Sequence, residues 1–300
     1  MSVSGPEGGF PSQAALEARY GLPASRSADI CGVRLHYCDE GSGPAILLLH
    51  GSYASLRQWD DWAIRLKTGY RVVRFDWPAY GLSDAMPDGD YSAAGKLALI
   101  AGLADLLGID RFTLVATSSA GVPGVAFAAA CPDRVAGLIV NNIGVGPVQH
   151  DEAAFTPQLQ AVLAEDATHP GWHRPAFWRE ILRMNYADPA RVSDAVVTRW
   201  TELNNRQFPA ELRPDPAQAA AEFARTIDDL PCVTVPTLVL WSDTDREVPL
   251  EREGRLAFDL LGTTDKTLVV IPDAGHMMPE ECGARGLDCA MPFLARVAVD

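Results

Sequence analysis

The fold of this chain is decided by one short stretch, Leu114-Val115-Ala116-Thr117-Ser118-Ser119-Ala120-Gly121. An apolar run leads into it, and an alanine-rich segment with the composition of a helix follows it over residues 122–130. A strand that turns this sharply into a helix strains its central residue, so the residues two before and two after must be small. Ala116 and Ala120 satisfy that requirement. We therefore predict that Ser118 is a nucleophile and that the backbone N–H of Ser119 faces an oxyanion.

On both sides of this stretch, apolar runs typical of strands alternate with segments typical of helices. The alternation predicts an α/β fold whose central, mostly parallel sheet is flanked by helices on both faces. The predicted strands are residues 33–38, 45–49, 71–75, 112–115, 136–140, 237–240 and 267–271. The predicted flanking helices are residues 55–67, 92–107, 249–261 and 279–297.

The strand signal stops between Gly144 and Leu230, which predicts an inserted, all-helical cap. Asp188-Pro189 and Asp215-Pro216 each place a capping acid before a proline that suits the first turn of a helix. Most of the large apolar residues of this segment are expected to form its own core, and a minority to face a pocket. The predicted organisation is an N-terminal extension (1–30), a core (31–143 and 232–300) and the cap (144–231).

Composition excludes several classes of partner and site. The net charge of −14 over 300 residues and the absence of a basic stripe argue against nucleic acid as a partner. No apolar run is long enough to span a bilayer, and no export signal is visible, so we expect a cytoplasmic protein without membrane insertion. Six cysteines without a C-x-x-C pair indicate neither a disulfide framework nor a zinc site. We expect a small-molecule substrate, no metal and no organic cofactor; a homodimer stays open.

His50-Gly51-Ser52-Tyr53 directly follows a predicted strand. A glycine there lets the backbone turn with its N–H groups pointing into the cleft at the carboxyl edge of the sheet. We predict that the N–H of Ser52 is the second oxyanion donor, beside that of Ser119. His50 is expected to brace this loop rather than to act as a base.

A serine nucleophile needs a general base, and the base needs a partner that fixes its tautomer. Among six histidines, His276 is the strongest candidate because it follows the last predicted strand, at the same sheet edge as Ser118. For the acid, Asp243 and Asp245 both follow the strand at 237–240, and an aspartate at a strand end commonly caps a turn. The residues by themselves leave the choice between these two acids open.

Together these landmarks resemble the α/β-hydrolase fold family, and the resemblance runs from about Gly32 to the C-terminus. The matching elements are His50-Gly51, the run Asp76-Trp77-Pro78-Ala79-Tyr80-Gly81-Leu82-Ser83-Asp84, the turn at Ser118, the segment 241–249 and Gly275-His276. The order Ser, Asp, His agrees with that family, and its motif places the acid at Asp245. The resemblance therefore implies a Ser118, Asp245, His276 triad. The chain departs from the family at four positions where glycine is frequent, namely Ala79, Ala116, Ala120 and Ser242.

The residue at position 118 also bears on the reaction. Dehalogenases and epoxide hydrolases of this family use a carboxylate nucleophile, and Tyr53 stands where they tend to have proline, so both activities are disfavoured. A serine triad with two N–H donors suits acyl transfer. We expect a carboxylic ester hydrolase that acts through an acyl-enzyme on a small to medium, largely apolar substrate. The predicted pocket residues are Tyr53, Trp77, Trp178 and Met277.

Two alternatives remain. Serine members of the family with comparable caps hydrolyse a carbon–carbon bond in diketones produced by aromatic ring cleavage. Such substrates carry carboxylates, so an arginine is expected in the pocket, and the inserted segment offers Arg174, Arg179, Arg183 and Arg199. The second alternative is a ligand-binding protein that keeps the fold and the triad without hydrolysis.

Overall fold

The computed structural model describes residues 9–147, 155–168, 171–206, 208, 212 and 215–298. Its centre is an eight-stranded sheet in the order β1-β2-β4-β3-β5-β6-β7-β8. Strand β2 is antiparallel to β1 and to β4, and all pairings from β4 to β8 are parallel. The strands are β1 Ser25–Ile30, β2 Val33–Gly41, β3 Ala45–Leu49, β4 Arg71–Phe75, β5 Phe112–Thr117, β6 Val135–Asn141, β7 Thr237–Ser242 and β8 Lys266–Ile271.

Helices cover both faces of this sheet. Successive residues of β3 point to opposite faces: Ile46 and Leu48 pack into one buried cluster, and Leu47 and Leu49 into another. A strand buried on both sides reads as a continuous apolar run, which is the pattern that predicted it. The helices are α1 Gln13–Tyr20, α2 Asp60–Leu66, α3 Ala93–Leu106, α4 Gly121–Ala130, α5 Pro157–Asp166, α6 Pro175–Asn185, α7 Asp194–Asn204, α8 Pro216–Ala224, α9 Thr226–Asp229, α10 Arg255–Leu260, α11 Met278–Glu281 and α12 Gly283–Val297.

The predicted α/β-hydrolase fold is confirmed, and all seven predicted strands are present. Strand β1, inside the stretch called an N-terminal extension, was not predicted. Its sequence, Ser-Arg-Ser-Ala-Asp-Ile, carries little apolar signal because it forms the edge of the sheet. Helix α1 before it reaches the inserted segment, where Tyr20 Oη donates to Glu202 at 2.7 Å.

Three predicted flanking helices are interrupted. The helix predicted at 55–67 begins as a 3₁₀ turn at Leu56 and becomes α-helical at Asp60. The one predicted at 279–297 is broken at Cys282 into α11 and α12. The one predicted at 249–261 opens with a π-helical turn over Leu250–Gly254.

In its described part, the inserted segment (residues 144–231) contains helices α5 to α9 and no strand. Asp215 caps α8 as predicted. The expectation that Asp188 also begins a helix is wrong, because it caps a 3₁₀ turn of three residues and Ser193 caps α7 instead. Helices α6 and α7 pack their aromatic residues on the core, in a buried cluster that includes Ala54, Trp178, Tyr186, Trp200 and Met277.

Candidate active site

The turn from β5 into α4 has the strained geometry that its small residues predicted. Ser118 lies in the left-handed region with φ of 53°, a conformation that costs a non-glycine residue free energy and that surrounding packing must hold. The flanking small residues permit this packing: a Cβ on Gly124 of α4 would lie 2.7 Å from the Cβ of Ala116. The turn therefore presents Ser118 at the carboxyl edge of the sheet.

Ser118, His276 and Asp245 form one hydrogen-bonded chain. The Oγ of Ser118 lies 2.9 Å from Nε2 of His276, and Nδ1 of His276 lies 2.8 Å from Oδ2 of Asp245. Because an ionised carboxylate only accepts, Nδ1 carries a proton and Nε2 is free to accept from the serine. Asp245 Oδ1 accepts from the backbone N–H groups of Glu247 and Val248 at 2.8 and 2.9 Å. The three predicted residues thus stand in the arrangement of nucleophile, base and orienting acid.

The neighbouring acid, Asp243, lies outside this chain. Its Oδ1 accepts from Thr244 Oγ1 at 3.0 Å, and the side chain is exposed. Asp243 therefore caps a turn, and the acid that contacts His276 is Asp245.

The electrostatic environment of His276 favours its protonated form. Burial lowers the pKa of His276, but the Asp245 carboxylate and then that of Glu247 outweigh burial and raise it to about 9. Glu247 Oε2 lies 3.7 Å from Nε2, on the side of the ring that faces Ser118. Since a general base must be neutral to accept a proton, this geometry predicts activity that rises with pH.

The loop that follows β3 approaches Ser118 closely. A Cβ at position 51 would lie 2.8 Å from the Cβ of Ser118, so only glycine fits there. The N–H of Ser52 has no acceptor among the described residues, and Ser119 lies in the first turn after β5, where N–H groups lack helical acceptors. The Oγ of Ser52 donates to that of Ser119 at 2.8 Å and so joins the two loops that would supply the oxyanion donors.

His50 braces this loop, as expected from the sequence. It is fully buried; its Nε2 accepts from the backbone N–H of Trp77 at 3.0 Å, and its Nδ1 donates to the carbonyl of Gly51 at 2.7 Å. Burial lowers the pKa of His50, which agrees with a neutral ring in these roles. In return, Trp77 Nε1 donates to the His50 carbonyl at 3.0 Å. This exchange fixes Trp77 beside the Ser52 loop.

A cavity of about 680 Å³, counting its mouth, opens beside these loops. Its walls come from the Ser52 and Trp77 loops, from the start of α4, from α3 and from α8. The lining residues are Ser52, Trp77, Pro78, Tyr80, Tyr91, Lys96, Ser119, Ala120, Val122, Pro123, Asp215, Gln218, Glu222 and Phe223. The cavity therefore joins the predicted oxyanion donors to the underside of the inserted segment.

Only one of the four predicted pocket residues, Trp77, lines this cavity. Trp178 and Met277 are buried in the cluster between the inserted segment and the core. Tyr53 is half exposed and packs its ring against Tyr80 and Trp178. All three residues lie outside the cavity. For Trp178 and Met277 the reason is that an apolar side chain can pack in a core as readily as it can line a pocket.

The four arginines considered for a substrate carboxylate are all paired with acids of the protein. Arg199 pairs with Glu280 of α11, and the other three pairs lie within the inserted segment: Arg174 with Glu165, Arg179 with Asp194 and Arg183 with Glu180. None of the four lines the cavity.

Sequence reasoning missed Lys96, Tyr80 and Glu222 in the cavity wall and Glu247 beside His276. Lys96 did carry a signal, since it is a lone cation in the apolar first two turns of α3. Glu222 lies in α8, and its place depends on how the inserted segment docks. No local pattern encodes that docking.

Within the described ranges, no three His, Cys, Asp or Glu side chains cluster as metal ligands would. None of the described helices is both long and apolar enough to cross a membrane. All six cysteines, which lie in described ranges, are free thiols.

Comparisons with known proteins agree with this geometry. A 2-hydroxy-6-oxononadienedioate/2-hydroxy-6-oxononatrienedioate hydrolase of Burkholderia vietnamiensis is 27% identical over 281 residues, 88% of this chain and 92% of the relative. Haloalkane dehalogenase 2 of Mycobacterium tuberculosis is 28% identical over 277 residues, 87% and 91% of the two chains. The solved structure of a meta-cleavage product hydrolase from Pseudomonas fluorescens IP01 has the same fold, with a TM-score of 0.72 at 23% identity over 90% of this chain and 97% of its own.

A family model also matches most of the chain. The family model described as the alpha/beta hydrolase family covers residues 46–286, from β3 to within α12. That range contains the Ser118 turn, the Ser52 loop, Asp245 and His276. The chain belongs to the alpha/beta hydrolase family.

Proposed function

We propose that this protein is a serine hydrolase that cleaves a carbon–carbon bond in a vinylogous diketone of the kind formed by aromatic ring cleavage. One observation carries the proposal: an assembled Ser118, His276, Asp245 triad in a chain that resembles, over 88% of its length, hydrolases named for 2-hydroxy-6-oxononadienedioate. The likeness to a haloalkane dehalogenase has less weight. Carbon–halogen displacement needs a carboxylate nucleophile, and position 118 is serine.

The 2-hydroxy-6-oxo dienoate reacts as its 2,6-dioxo tautomer, in which the carbon next to the 6-keto carbonyl is saturated. Ser118 Oγ adds to that keto carbonyl while His276 Nε2 takes its proton. The N–H groups of Ser52 and Ser119 hold the oxyanion. When the tetrahedral intermediate collapses, the adjacent carbon–carbon bond breaks, and its electron pair enters the conjugated system as a dienolate that receives the proton from His276. Water, deprotonated by His276, then adds to the acyl-enzyme and releases the carboxylic acid and free Ser118.

Hydrolysis of a carboxylic ester is the second candidate. It is favoured by the four arginines of the inserted segment, because each is paired with a protein carboxylate and none lines the cavity. The same triad serves this reaction, with an alcohol as the leaving group in place of the dienolate.

Paired assays separate the two candidates. Disappearance of a coloured 2-hydroxy-6-oxo dienoate is followed in one assay, and release of p-nitrophenol from short p-nitrophenyl esters in the other. We expect kcat/KM for the diketone to exceed that for the best ester by at least about 100-fold; the reverse order would support the esterase. Ser118→Ala should lower either activity by roughly 10³- to 10⁶-fold.

A matched control is Ser27→Ala, which removes an exposed hydroxyl from the edge strand β1, outside the cavity wall. It should retain most of the activity. A protein that labels at Ser118 with a fluorophosphonate yet turns over neither substrate class would instead be a ligand-binding member of the fold.

A further inference from the structure

Lys96 occupies an unusual place in the cavity wall. It lies on α3, whose residues from Ala93 to Ala104 are otherwise uncharged, and it lines the same cavity as Ser52 and Ser119. The side chain is half-buried. Its burial lowers the pKa of Lys96, an effect that the Glu222 carboxylate opposes.

No described carboxylate forms an ion pair or hydrogen bond with the Lys96 ammonium. The two acids of the cavity wall are engaged elsewhere. Glu222 Oε2 accepts from the backbone N–H of Ala93 at 3.2 Å and lies 3.7 Å from Arg225. Asp215 accepts from the N–H of Ala217 as the cap of α8. Lys96 therefore lines the cavity as a cation, and none of the described acids contacts it directly.

A half-buried ammonium with no carboxylate in direct contact is costly, because it loses hydration and gains only the more distant charge of Glu222. A ligand carboxylate in the cavity would supply a direct partner, and because Lys96 is half-buried the pair would be less screened by water than one on the surface. The apolar wall formed by Trp77, Val122 and Phe223 suits the carbon chain of such a ligand.

We propose that Lys96 is a specificity-determining residue that binds a carboxylate of the substrate while the reacting carbonyl lies at Ser118. The proposal deepens the proposed function and rests on it for the place of the carbonyl. It assigns the substrate class: a small, anionic carbonyl compound with an acidic group remote from the bond that is cleaved.

The test uses two matched pairs of substrates. One pair is a 2-hydroxy-6-oxo dienoate and its methyl ester. The other is mono-p-nitrophenyl adipate, which carries a free carboxylate, and p-nitrophenyl hexanoate, which is neutral and of similar length. Each is assayed with wild type, Lys96→Met, Lys96→Arg and Lys67→Met. Lys67 is a surface lysine that pairs with Glu40 and does not line the cavity.

For Lys96→Met we expect KM for the anionic member of a pair to rise roughly 10- to 100-fold relative to the neutral member, with a much smaller change in kcat. Lys96→Arg should recover part of the preference, and Lys67→Met should keep all of it. Equal losses on anionic and neutral substrates would overturn the proposal, since they indicate that Lys96 only supports the fold. Thermal unfolding of each variant shows whether a loss comes from misfolding, and Lys96→Gln replaces Lys96→Met if that variant unfolds.

The outcomes distinguish a wrong role for Lys96 from a wrong assignment of the reaction. One outcome is that the diketones are not cleaved, while Lys96→Met raises KM for mono-p-nitrophenyl adipate relative to p-nitrophenyl hexanoate as expected. In that case the role of Lys96 is supported and the proposal of carbon–carbon hydrolysis is wrong. If no substrate reacts, calorimetric titration with adipate decides: binding to wild type that weakens at least 10-fold in Lys96→Met supports the anion site, and equal binding overturns it.

Discussion

The inserted segment meets the core in several places, and two of these regions differ in chemistry. At α11, two neighbouring glutamates bind it. Glu281, whose side chain is fully buried, accepts from the backbone N–H groups of Ala187, Asp188 and Gly275 at 2.8 to 3.1 Å and pairs with Arg191. Glu280 pairs with Arg199 and accepts from Trp200 Nε1.

At α3, the contacts of the inserted segment are fewer. Tyr91 Oη donates to the carbonyl of Leu212 at 2.6 Å, and Glu222 accepts from the N–H of Ala93. Lys96 stands in the cavity between these elements. The two regions therefore differ in role. The region at α11 holds the loop that carries His276, because Glu281 accepts from the N–H of Gly275, the residue before His276. The region at α3 borders the cavity and contains the Lys96 ammonium.

The largest effect should come from Glu281→Ala. The substitution removes the acceptor of three backbone N–H groups and the partner of Arg191, and should lower the free energy of unfolding by about 3–5 kcal/mol. Because the His276 loop loses its anchor, kcat should fall as well. Denaturant unfolding and steady-state kinetics measure both quantities.

Glu222→Ala is the matched change in the other region, and Glu251→Ala, at an exposed position in the π-helical turn before α10, is the surface control. We expect a smaller loss of stability for Glu222→Ala and an unchanged Tm for Glu251→Ala. Equal destabilisation by Glu281→Ala and Glu222→Ala would contradict the inferred difference between the two regions.

Gly275→Ala tests how closely the inserted segment approaches the His276 loop. A Cβ there would lie 2.4 Å from the carbonyl oxygen of Asn185 and 2.5 Å from the N–H nitrogen of Ala187, so the loops must separate. We expect kcat/KM to fall roughly 10- to 100-fold, since small displacements of catalytic groups are costly, with about 1–3 kcal/mol of destabilisation.

The control for this change is Gly69→Ala, where a Cβ meets no atom within 4 Å. It should leave kcat/KM unchanged. Wild-type kinetics in Gly275→Ala would show that the charged region does not position His276.

The sequence predicted the parts of the site that depend on local geometry. Ser118 was found because a strained turn requires small neighbours such as Ala116. The loop at Gly51 was found because a strand end next to the nucleophile requires glycine. Asp245 and Asp243 were equivalent by residue type and position, and only the family motif separated them. In the structure, the difference lies in which carboxylate reaches His276, a matter of loop geometry.

The cavity wall could not be predicted in the same way. Lys96 and Glu222 meet only because α8 docks near α3, and that docking depends on packing between distant parts of the chain. Trp178 and Met277 show the converse. Their size and hydrophobicity suggested a pocket, but the same properties bury them in the cluster that attaches α6 and α7 to the core.

Glu247→Gln tests the charge around His276 with a smaller effect. Glu247 helps to raise the pKa of His276 to about 9, so the neutral base is populated as pH rises. Removing that negative charge lowers the pKa and moves the acidic limb of the kcat/KM profile to lower pH. At pH 7 the variant should be about 2- to 10-fold more active than wild type. Asp243→Asn is the control, because its carboxylate caps a turn, and an identical shift in both variants would contradict this role for Glu247.

The smallest effect is expected from Thr226→Val, at the start of α9. The buried Thr226 Oγ1 accepts from the N–H of Gly146 at 2.9 Å and so ties the chain that enters the inserted segment to the helix that precedes its end. Valine keeps the shape and leaves that N–H without its acceptor, which should cost about 1–2 kcal/mol of stability.

Thr201→Val is the control. The Thr201 hydroxyl donates to the Val197 carbonyl within α7, which already accepts a helical hydrogen bond, so the loss of stability should be smaller. Because Thr226 touches neither α11 nor the His276 loop, kcat should stay near the wild-type value. A fall in kcat comparable to that of Glu281→Ala would mean that both regions position the base, and the division between them would be wrong.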